Sequence, residues 1–454
     1  MKYKVLILIA TGFWLVLSLA SCEKYLEAKS NKLLAVPQTL DDLRSLMDDY
    51  LRLNQAAAYA GEVASDDYFI TDANLAGVTR ESDRRLYSWQ PDYVFDPGSN
   101  SWQHLYRNVY YGNTVLEQIV KIPKTATNGA EWDNIAGMAY FHRGIGVLHA
   151  AFIWSPAYDA ASPSVYGVPI RTGVDFNEVT IRPSVGESYF QAIADLKKAA
   201  TLLPVTQIHV MRPSKIAAYA MLSRAFIAMN AFHEAGLYAD SALKLNNKLL
   251  DFNTLSTSST APFTQFGGET IFYWSMTATT ALNQARTYVV DELYNQYATQ
   301  DLRRSIFFRT NTNGTRSFKG NYTGSASIFA GVAVDEMYLN RAEAYGRQGM
   351  LDEAVADLNA LLKTRWNKNT IYPVFQSTNK QVVIDKILIE RRKELLMRGL
   401  RWVDLKRLNQ LGAEITISRL GNQGQPVLKA NDLRYAMAIP EGIIGLSGIS
   451  QNPR

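Results

Sequence analysis

Two distant segments of the chain repeat one spacing of small and bulky side chains, and no other feature constrains the fold as strongly. The spacing has intervals of 3, 4, 2, 3, 4 and 3 residues. Small residues at such positions let two helices approach closely, and the larger residues fill the space between them. The first set is Ser223, Phe226, Asn230, Phe232, Ala235, Ala239 and Ala242, and the second is Ala342, Tyr345, Gly349, Leu351, Ala354, Leu358 and Leu361. The pattern predicts one helix pair from Ser214 and another from Val334.

Each pair resembles the helix pair of tetratricopeptide repeats. Because the pairs are far apart, the sequence predicts an interrupted helical scaffold rather than a tandem array. Between them, about residues 251–330 are dense in Thr, Ser, Gly and Asn and lose the helical periodicity. Ile271–Trp274 predicts a short strand in this insertion, and Asn313-Gly314 predicts a hairpin turn. Insertions of this length on a helical scaffold usually carry function.

Further helices are predicted where apolar residues recur at helical spacing. They cover Thr39–Leu53, with Thr39 as N-cap, Trp102–Val120, Trp132–Trp154, Ser188–Leu203 and most of Val334 to about Leu411. Polar, Pro-rich and Gly-rich texture predicts loops over Ala60–Asn100 and Pro156–Pro183.

The composition excludes several classes of protein. Among 454 residues, 47% are hydrophobic, with 25 Tyr, 18 Phe and 8 Trp, which excludes a disordered chain. A net charge of +5 gives no reason to expect a nucleic-acid partner. The single cysteine, Cys22, rules out an intramolecular disulfide, and the five histidines are too scattered to predict a metal site. We predict no cofactor.

The N-terminus has the pattern of an export signal. Lys2 and Lys4 precede an apolar run from Val5 to Leu19, which is shorter than the roughly 20 residues of a membrane-spanning helix. Leu19-Ala20-Ser21-Cys22 then resembles a bacterial lipobox, the site at which a cysteine thiol receives a lipid. We expect residues 1–21 to be a lipoprotein signal peptide and Cys22 to carry the anchor. The alternative is a chance cysteine after an ordinary signal peptide.

Three C-terminal segments resemble the SusD/RagB family of nutrient-binding outer-membrane lipoproteins. They are Asp335–Tyr345, then Glu390–Leu395 with Gly399, Arg401-Trp402 and Asp404–Arg407, and then Ala438–Glu441 with the ending Gln451–Pro453. Upstream, Glu62–Tyr68 and Trp102–Asn113 resemble the family as well. The sequence departs from it at Arg398, where many members have Glu.

This resemblance implies a mostly α, SusD-like fold with four tetratricopeptide-like helix pairs and a loop-rich capping region with a little β. Residues 22–454 would form a single SusD-like domain: an N-terminal helical part at about 36–250, the insertion at about 251–330, and a C-terminal helical part and tail at about 331–454. The resemblance also implies a lipid-anchored protein on the outer face of the outer membrane. Its partner would be a SusC-like TonB-dependent transporter, and its ligand an oligosaccharide or, less often, a peptide.

Two charged segments could be mistaken for chemical sites. In Glu390–Arg407, carboxylates lie on one helix face among several arginines. Guanidinium groups would keep such carboxylates ionised, so we interpret the segment as a structural ion network rather than as an active site. Asp66-Asp67 could bind Ca²⁺ or a sugar, but local capping or salt bridging is favoured.

Sugar recognition needs flat apolar faces beside planar hydrogen-bonding groups, so aromatic residues in loops are the candidates. They are Trp89, Tyr93 and Phe95 with Arg84 and Asp92, Trp154 and Tyr158 at the end of a helix, Tyr166, and Tyr322 with Asn321. Trp102, Trp132, Trp366 and Trp402 are predicted to lie in the core.

Four functions remain open at this point. A non-enzymatic glycan-binding lipoprotein that works with a transporter is favoured, and a peptide-binding lipoprotein of the same system is the alternative. A surface glycoside hydrolase and a protein-binding helical scaffold follow. Carboxylate pairs of glycosidases come from distant segments, so their spacing in the sequence singles out no such pair.

Overall fold

The computed structural model describes residues 37–420 and 426–454, and helices dominate it. The predicted signal peptide and Cys22 lie outside this range. Within the range, no helix has both the length and the apolar character needed to cross a membrane. The mostly α architecture expected from the sequence is confirmed.

The first predicted helix is present but broken in two. Helix α1 (Leu40–Met47) starts with a capping box, in which the Thr39 hydroxyl accepts the Asp42 N–H at 3.1 Å and the Asp42 carboxylate accepts the Thr39 N–H at 3.0 Å. The predicted N-cap is therefore confirmed. Asp49 then caps a new short helix, α2 (Tyr50–Leu53), which interrupts the predicted continuous element.

The predicted loop over residues 60–100 is wrong for much of its length. It contains helices α3 (Ala60–Ala64), α4 (Asp72–Ala76) and α5 (Glu81–Tyr87) and strand β1 (Tyr68–Ile70). Each helix is too short to show periodicity. The strand pairs with a partner more than 200 residues away, so local sequence carries no sign of it.

Long helices form the N-terminal scaffold close to the predicted bounds. They are α6 (Ser101–Ile119), α7 (Gly129–Trp154), α8 (Val185–Leu202), α9 (Lys215–Ala228) and α10 (Phe232–Leu245). Helices α6 and α7 approach closely at two glycines. A Cβ atom on Gly146 would lie 2.8 Å from the Leu105 carbonyl oxygen, and one on Gly112 would lie 2.7 Å from that of Ala139.

We expect Gly146→Ala to lower the free energy of unfolding by about 1–3 kcal/mol, because the added methyl group forces these two helices apart. Chemical denaturation of the protein beginning at residue 23 measures this. Gly129→Ala is the matched control, since its Cβ would lie 3.4 Å from the flexible end of Lys124. A control as destabilising as Gly146→Ala would contradict the steric explanation.

The insertion between the two helix pairs is built from short elements. They are β2 (Thr270–Phe272), β3 (Thr287–Val289), α11 (Asp291–Tyr294), α12 (Arg303–Ile306), β4 (Phe308–Thr310), β5 (Arg316–Phe318) and β6 (Val332–Ala333). Strand β2 confirms the predicted strand to within two residues, and Gly314, with φ of +81°, lies in the predicted hairpin turn between β4 and β5. Strand β1 pairs antiparallel with β3, so this sheet joins the insertion to the N-terminal part.

The helical scaffold resumes after the insertion. Its elements are α13 (Val334–Gln348), α14 (Leu351–Arg365), α15 (Lys380–Glu394), α16 (Arg401–Gln410), β7 (Ile417–Ser418), β8 (Val427–Leu428) and α17 (Glu441–Ser447). Helix α10 packs directly on α13, where a Cβ on Gly236 would lie 3.0 Å from that of Ala344. The two repeat pairs are thus stacked in space although the insertion separates them in the chain.

A buried ion network fastens the insertion to these helices. Arg303 of α12 bonds Glu390 at 2.6 Å and Glu394 at 2.9 Å, and Arg365 joins Glu394 to Glu269 at 2.8 Å each. Burial alone would raise the pKa of Glu390, but Arg303 and the neighbouring lysines outweigh it and hold that pKa well below its usual range. The predicted ion network is therefore present.

The Asp66-Asp67 pair is also tied to arginines. Asp66 accepts hydrogen bonds from Arg401 at 2.7 and 2.8 Å, and Asp67 accepts one from Arg392 at 2.8 Å. These contacts agree with the favoured salt-bridge role. They join the start of β1 to helices α15 and α16.

Candidate functional site

A polar cleft opens where the insertion rests on the N-terminal part. It has a volume of about 390 Å³, and we call it the insertion pocket. The residues that line it are Met276, Thr277, Ala278, Thr279, Leu282, Asn283, Gln284, Ala285, Arg309, Ala326, Ser327 and Ile328. All of them belong to the insertion, the segment from which function was expected.

Helices α5 and α6 hold one wall of the pocket in place. His104 of α6 lies 3.0 Å from the Thr277 hydroxyl, and Asp83 of α5 accepts a hydrogen bond from the Thr279 hydroxyl. A further contact of 3.4 Å joins the hydroxyls of Thr280 and Thr79. The threonine wall is therefore fixed before any ligand arrives, which lowers the entropic cost of binding.

Two titratable groups, His104 and Asp83, lie behind this wall. Burial lowers the pKa of His104 to about 4, so its imidazole is neutral at pH 7. Burial also raises the pKa of Asp83, whose carboxylate is engaged by Thr279. The hydroxyls of Thr277 and Thr279 and the neutral imidazole of His104 thus support this side of the pocket.

Two side chains of the pocket are available to an incoming molecule. Within the described part of the chain, neither the Arg309 guanidinium nor the Gln284 amide makes a hydrogen bond. Both are planar groups with several donors, and Gln284 also offers an acceptor. Met276, Leu282 and Ile328 add apolar surface between them. This combination suits a hydroxyl-rich ligand.

The insertion pocket offers hydrogen bonding rather than acid–base chemistry. None of the described residues that line it is acidic, whereas hydrolysis of a glycosidic bond normally uses two carboxylates that flank it. None of them is aromatic either. The polar groups that line the pocket are hydroxyl, amide and guanidinium groups.

Both tryptophans proposed as sugar contacts are core residues in this structure. Trp89 is 4% exposed, its indole N–H donates to the Ala64 carbonyl oxygen, and Arg419 covers its ring. Trp154 is fully buried, and its indole N–H donates to Ala438. Phe95 packs against Trp154 and is buried too. None of these rings presents a face to a ligand.

Asn321 and Tyr322 are also buried. The Tyr322 hydroxyl lies 3.2 Å from Glu269 and 3.2 Å from Asp335, and the Arg398 guanidinium stacks over its ring. Arg398, the departure from the family pattern, pairs with Asp335 at 3.1 Å. The Asn321 amide, 3% exposed, has no hydrogen-bond partner in the described residues. Tyr322 therefore belongs to the buried network rather than to an open surface.

The other candidates lie at or near the surface without forming one cluster. Arg84 pairs with Glu81, and Asp92 pairs with Arg85. Tyr93 is 63% exposed and adopts a left-handed φ of +48°, with its N–H bonded to Glu441. The remaining two candidates are half-buried, Tyr158 against Tyr189 and Phe190, and Tyr166 beneath Arg182.

None of the predicted contact residues lines the insertion pocket. Sequence reasoning missed Gln284 and Arg309 because neither residue type stands out in a polar stretch. The one available signal was their position in the insertion, which had been singled out as a whole.

Comparison with known proteins places the chain among SusD relatives. Residues 24–227 match a family model described as starch-binding and associating with the outer membrane, and residues 264–437 match the model of the SusD family. A SusD-like protein of Formosa agariphila is 39% identical over 79 residues, which is 16% of the length of each chain.

Solved structures share the fold over nearly the whole chain. A SusD superfamily protein of Bacteroides thetaiotaomicron matches with a TM-score of 0.73 at 22% identity and covers 92% of this chain and 100% of its own. A SusD-like carbohydrate-binding protein of Bacteroides vulgatus matches with a TM-score of 0.68 at 20% identity, covering 90% of this chain and 97% of its own. At these identities the likeness concerns the fold.

Proposed function

Because the chain belongs to the SusD family, we propose that it binds an oligosaccharide at the cell surface and delivers it to a SusC-like TonB-dependent transporter. The insertion pocket is the proposed point of capture. Under this proposal the protein binds the sugar without chemically converting it. The released sugar then passes inward through the transporter.

One observation supports this assignment above the others. The insertion pocket holds an unengaged guanidinium, on Arg309, and an unengaged amide, on Gln284, beside hydroxyl groups that the scaffold has already positioned. Sugars present rows of hydroxyls that both donate and accept hydrogen bonds, and such planar groups can satisfy two hydroxyls at once. Among the described residues, the lining has no acidic group that would favour a cationic ligand.

We further propose that the protein is anchored in the outer membrane by lipid on Cys22 and faces the exterior. The lipobox-like Leu19–Cys22 supports the anchor, and the matching family model, described as associating with the outer membrane, supports the location. Mass spectrometry of protein purified from membranes would show acyl chains on the peptide that begins at Cys22. A mature N-terminus without lipid would contradict this proposal.

We expect Arg309→Ala and Gln284→Ala each to weaken binding of the recognised polysaccharide by about threefold to tenfold, the loss of one or two hydrogen bonds. The protein beginning at residue 23 is screened by affinity electrophoresis in gels that contain plant, host and microbial polysaccharides. Binding is then quantified by calorimetry with the soluble oligosaccharide. Arg52→Ala is the control, because Arg52 is an exposed arginine that does not line the insertion pocket.

The same screen decides against the proposal in two ways. Retention that is unchanged in both pocket variants would place the sugar elsewhere on the protein. Binding of oligopeptides in calorimetry, together with no retention by any polysaccharide, would favour the peptide-binding alternative.

A further inference from the structure

We propose that a second carbohydrate-binding site, for neutral sugars, lies in a groove between α6, residues 169–180 and α17. This inference rests on the proposed function, since it assumes that the protein binds glycans. The groove has a volume of about 540 Å³ and shares no lining residue with the insertion pocket. Such a volume is in the range of ligand sites.

An exposed aromatic platform forms one side of this groove. The rings of Tyr110 and Phe176 stack with centroids 5.5 Å apart and an interplanar angle of 29°. Phe176 is 82% exposed and Tyr110 is 41% exposed. Apolar side chains of Val174, Ile443 and Leu446 extend this surface. Flat, water-exposed rings are the faces on which the C–H surface of a pyranose can stack.

The platform is held in place by helix α6. The Tyr106 hydroxyl donates to the Pro169 carbonyl oxygen at 2.8 Å, and the Asn113 amide donates to the carbonyls of Arg171 and Gly173 at 2.9 and 3.0 Å. These bonds fix the segment that carries Phe176 against the helix that carries Tyr110. The two rings are therefore positioned before binding, which lowers the entropic cost of ordering them.

Charge in the groove is balanced internally, and this favours a neutral ligand. The Arg171 guanidinium donates to the Glu178 carbonyl oxygen at 2.8 Å and lies 3.5 Å from the Glu178 carboxylate. It also contacts the Thr180 hydroxyl at 3.3 Å. Asn177 and Thr180 add polar groups beside the rings. The site thus combines stacking faces with hydrogen-bonding groups.

The two sites offer different kinds of contact to a sugar. The insertion pocket offers hydrogen bonds without an aromatic face among its described lining, whereas the groove offers an aromatic face with few free donors. A polysaccharide has both hydroxyl rows and apolar ring faces, so each site can contribute to binding it. The groove is expected to prefer sugars with a continuous axial C–H face.

The test compares Phe176→Ala and Tyr110→Ala with Phe190→Ala, which removes an aromatic ring that is 54% exposed outside the groove. All three are made in the protein beginning at residue 23, and thermal denaturation confirms that each is folded. We expect Phe176→Ala to weaken binding of the retained polysaccharide about tenfold, as for truncation of an aromatic anchor. We expect Phe190→Ala to bind like the parent protein.

Failure of this inference is distinguishable from failure of the proposed function. If Arg309→Ala weakens glycan binding while Phe176→Ala and Tyr110→Ala do not, the groove is not a sugar site, although the protein still binds glycans. If the groove variants instead lose only co-purification with the transporter, the groove is a protein contact and the inference is overturned. If no polysaccharide binds the parent protein, both proposals fail together.

Discussion

Arg303→Met is expected to lower the free energy of unfolding by about 3–5 kcal/mol, the effect of leaving a buried charge without its partner. The Arg303 guanidinium is 1% exposed and bonds three carboxylates: Asp301 at 2.7 Å, Glu390 at 2.6 Å and Glu394 at 2.9 Å. Methionine matches the length of the arginine stem but supplies no positive charge. The substitution removes the cation that joins the insertion to the carboxylates of helix α15.

The measurement is chemical denaturation of the protein beginning at residue 23. Arg212→Met is the matched control, because Arg212 forms a bidentate pair with Asp48 at the surface, and such pairs contribute about 0–1 kcal/mol. The deficit of Arg303→Met is expected to shrink as the pH falls from 7 towards 4, since the stranded carboxylates can then take up protons.

An Arg303→Met variant as stable as Arg212→Met would show that the network contributes nothing net. A deficit that does not change with pH would show that lost packing, not stranded charge, is responsible. If the variant does not fold, Arg303→Lys offers a weaker version of the test, because lysine keeps the charge but loses the fork of donors that reaches three carboxylates.

The helical scaffold was predictable because its signal is local. Thr39 and Asp42 are three residues apart and form the capping box themselves, and each repeat pair carries its own spacing of small residues. Gly236 lies opposite Ala344, so the small residues do allow the close approach that the pattern indicates. Local periodicity therefore sufficed to locate the long helices.

Several predicted contact residues are buried by parts of the chain that are distant in the sequence. Trp89 follows a polar segment and looks like a surface residue, yet Arg419, 330 residues later in the sequence, covers its ring. Tyr322 lies in a Gly- and Asn-rich stretch, but it packs beneath Arg398 and bonds Asp335. No property of the neighbouring sequence distinguishes these rings from exposed ones.

The sequence singled out the insertion as a segment, but not the residues that line its pocket. Its wall depends on contacts of Thr277 with His104 and of Thr279 with Asp83, each across more than 170 residues. Such pairings are tertiary, and a single sequence does not reveal them. The polar composition of the insertion made it a candidate segment. Tertiary contacts determine which of its polar groups remain without a partner.

Glu62→Gln is expected to remove a pH dependence of stability of about 1.4 kcal/mol per pH unit between about pH 5 and pH 8. Glu62 is buried, and its carboxyl accepts the Gly399 N–H at 2.8 Å and the Ser65 hydroxyl at 3.2 Å. No cation of residues 37–420 or 426–454 is bonded to it. Burial, reinforced by the Asp67 charge, raises the pKa of Glu62 to about 8.

The direction follows from proton binding. Between about pH 4.5, where an unfolded glutamate titrates, and pH 8, the folded state holds this proton and the unfolded state does not. The stabilisation linked to Glu62 is therefore fully present below that window and is lost as the pH rises through 8. Glutamine is neutral at every pH, so the variant lacks the pH dependence of the unfolding free energy that Glu62 contributes.

Other buried groups titrate in the same pH range. Their contributions cancel when the parent protein is compared with Glu62→Gln. Burial lowers the pKa of Lys406 to about 7, so its contribution to stability rises with pH above 7 and opposes that of Glu62. Since both proteins contain Lys406 and His104, the difference between their unfolding free energies reports Glu62. Glu353→Gln, at an exposed position on α14, is the matched control.

The test measures the free energy of unfolding of the parent protein, Glu62→Gln and Glu353→Gln by chemical denaturation from pH 5 to pH 9. The parent protein should lose stability relative to Glu62→Gln as the pH rises to about 8, and the difference should level off above that pH. Glu353→Gln should run parallel to the parent. A parallel curve for Glu62→Gln would mean that Glu62 is ionised in the folded protein. In that case the Gly399 N–H and the Ser65 hydroxyl would stabilise a buried carboxylate without a bonded cation.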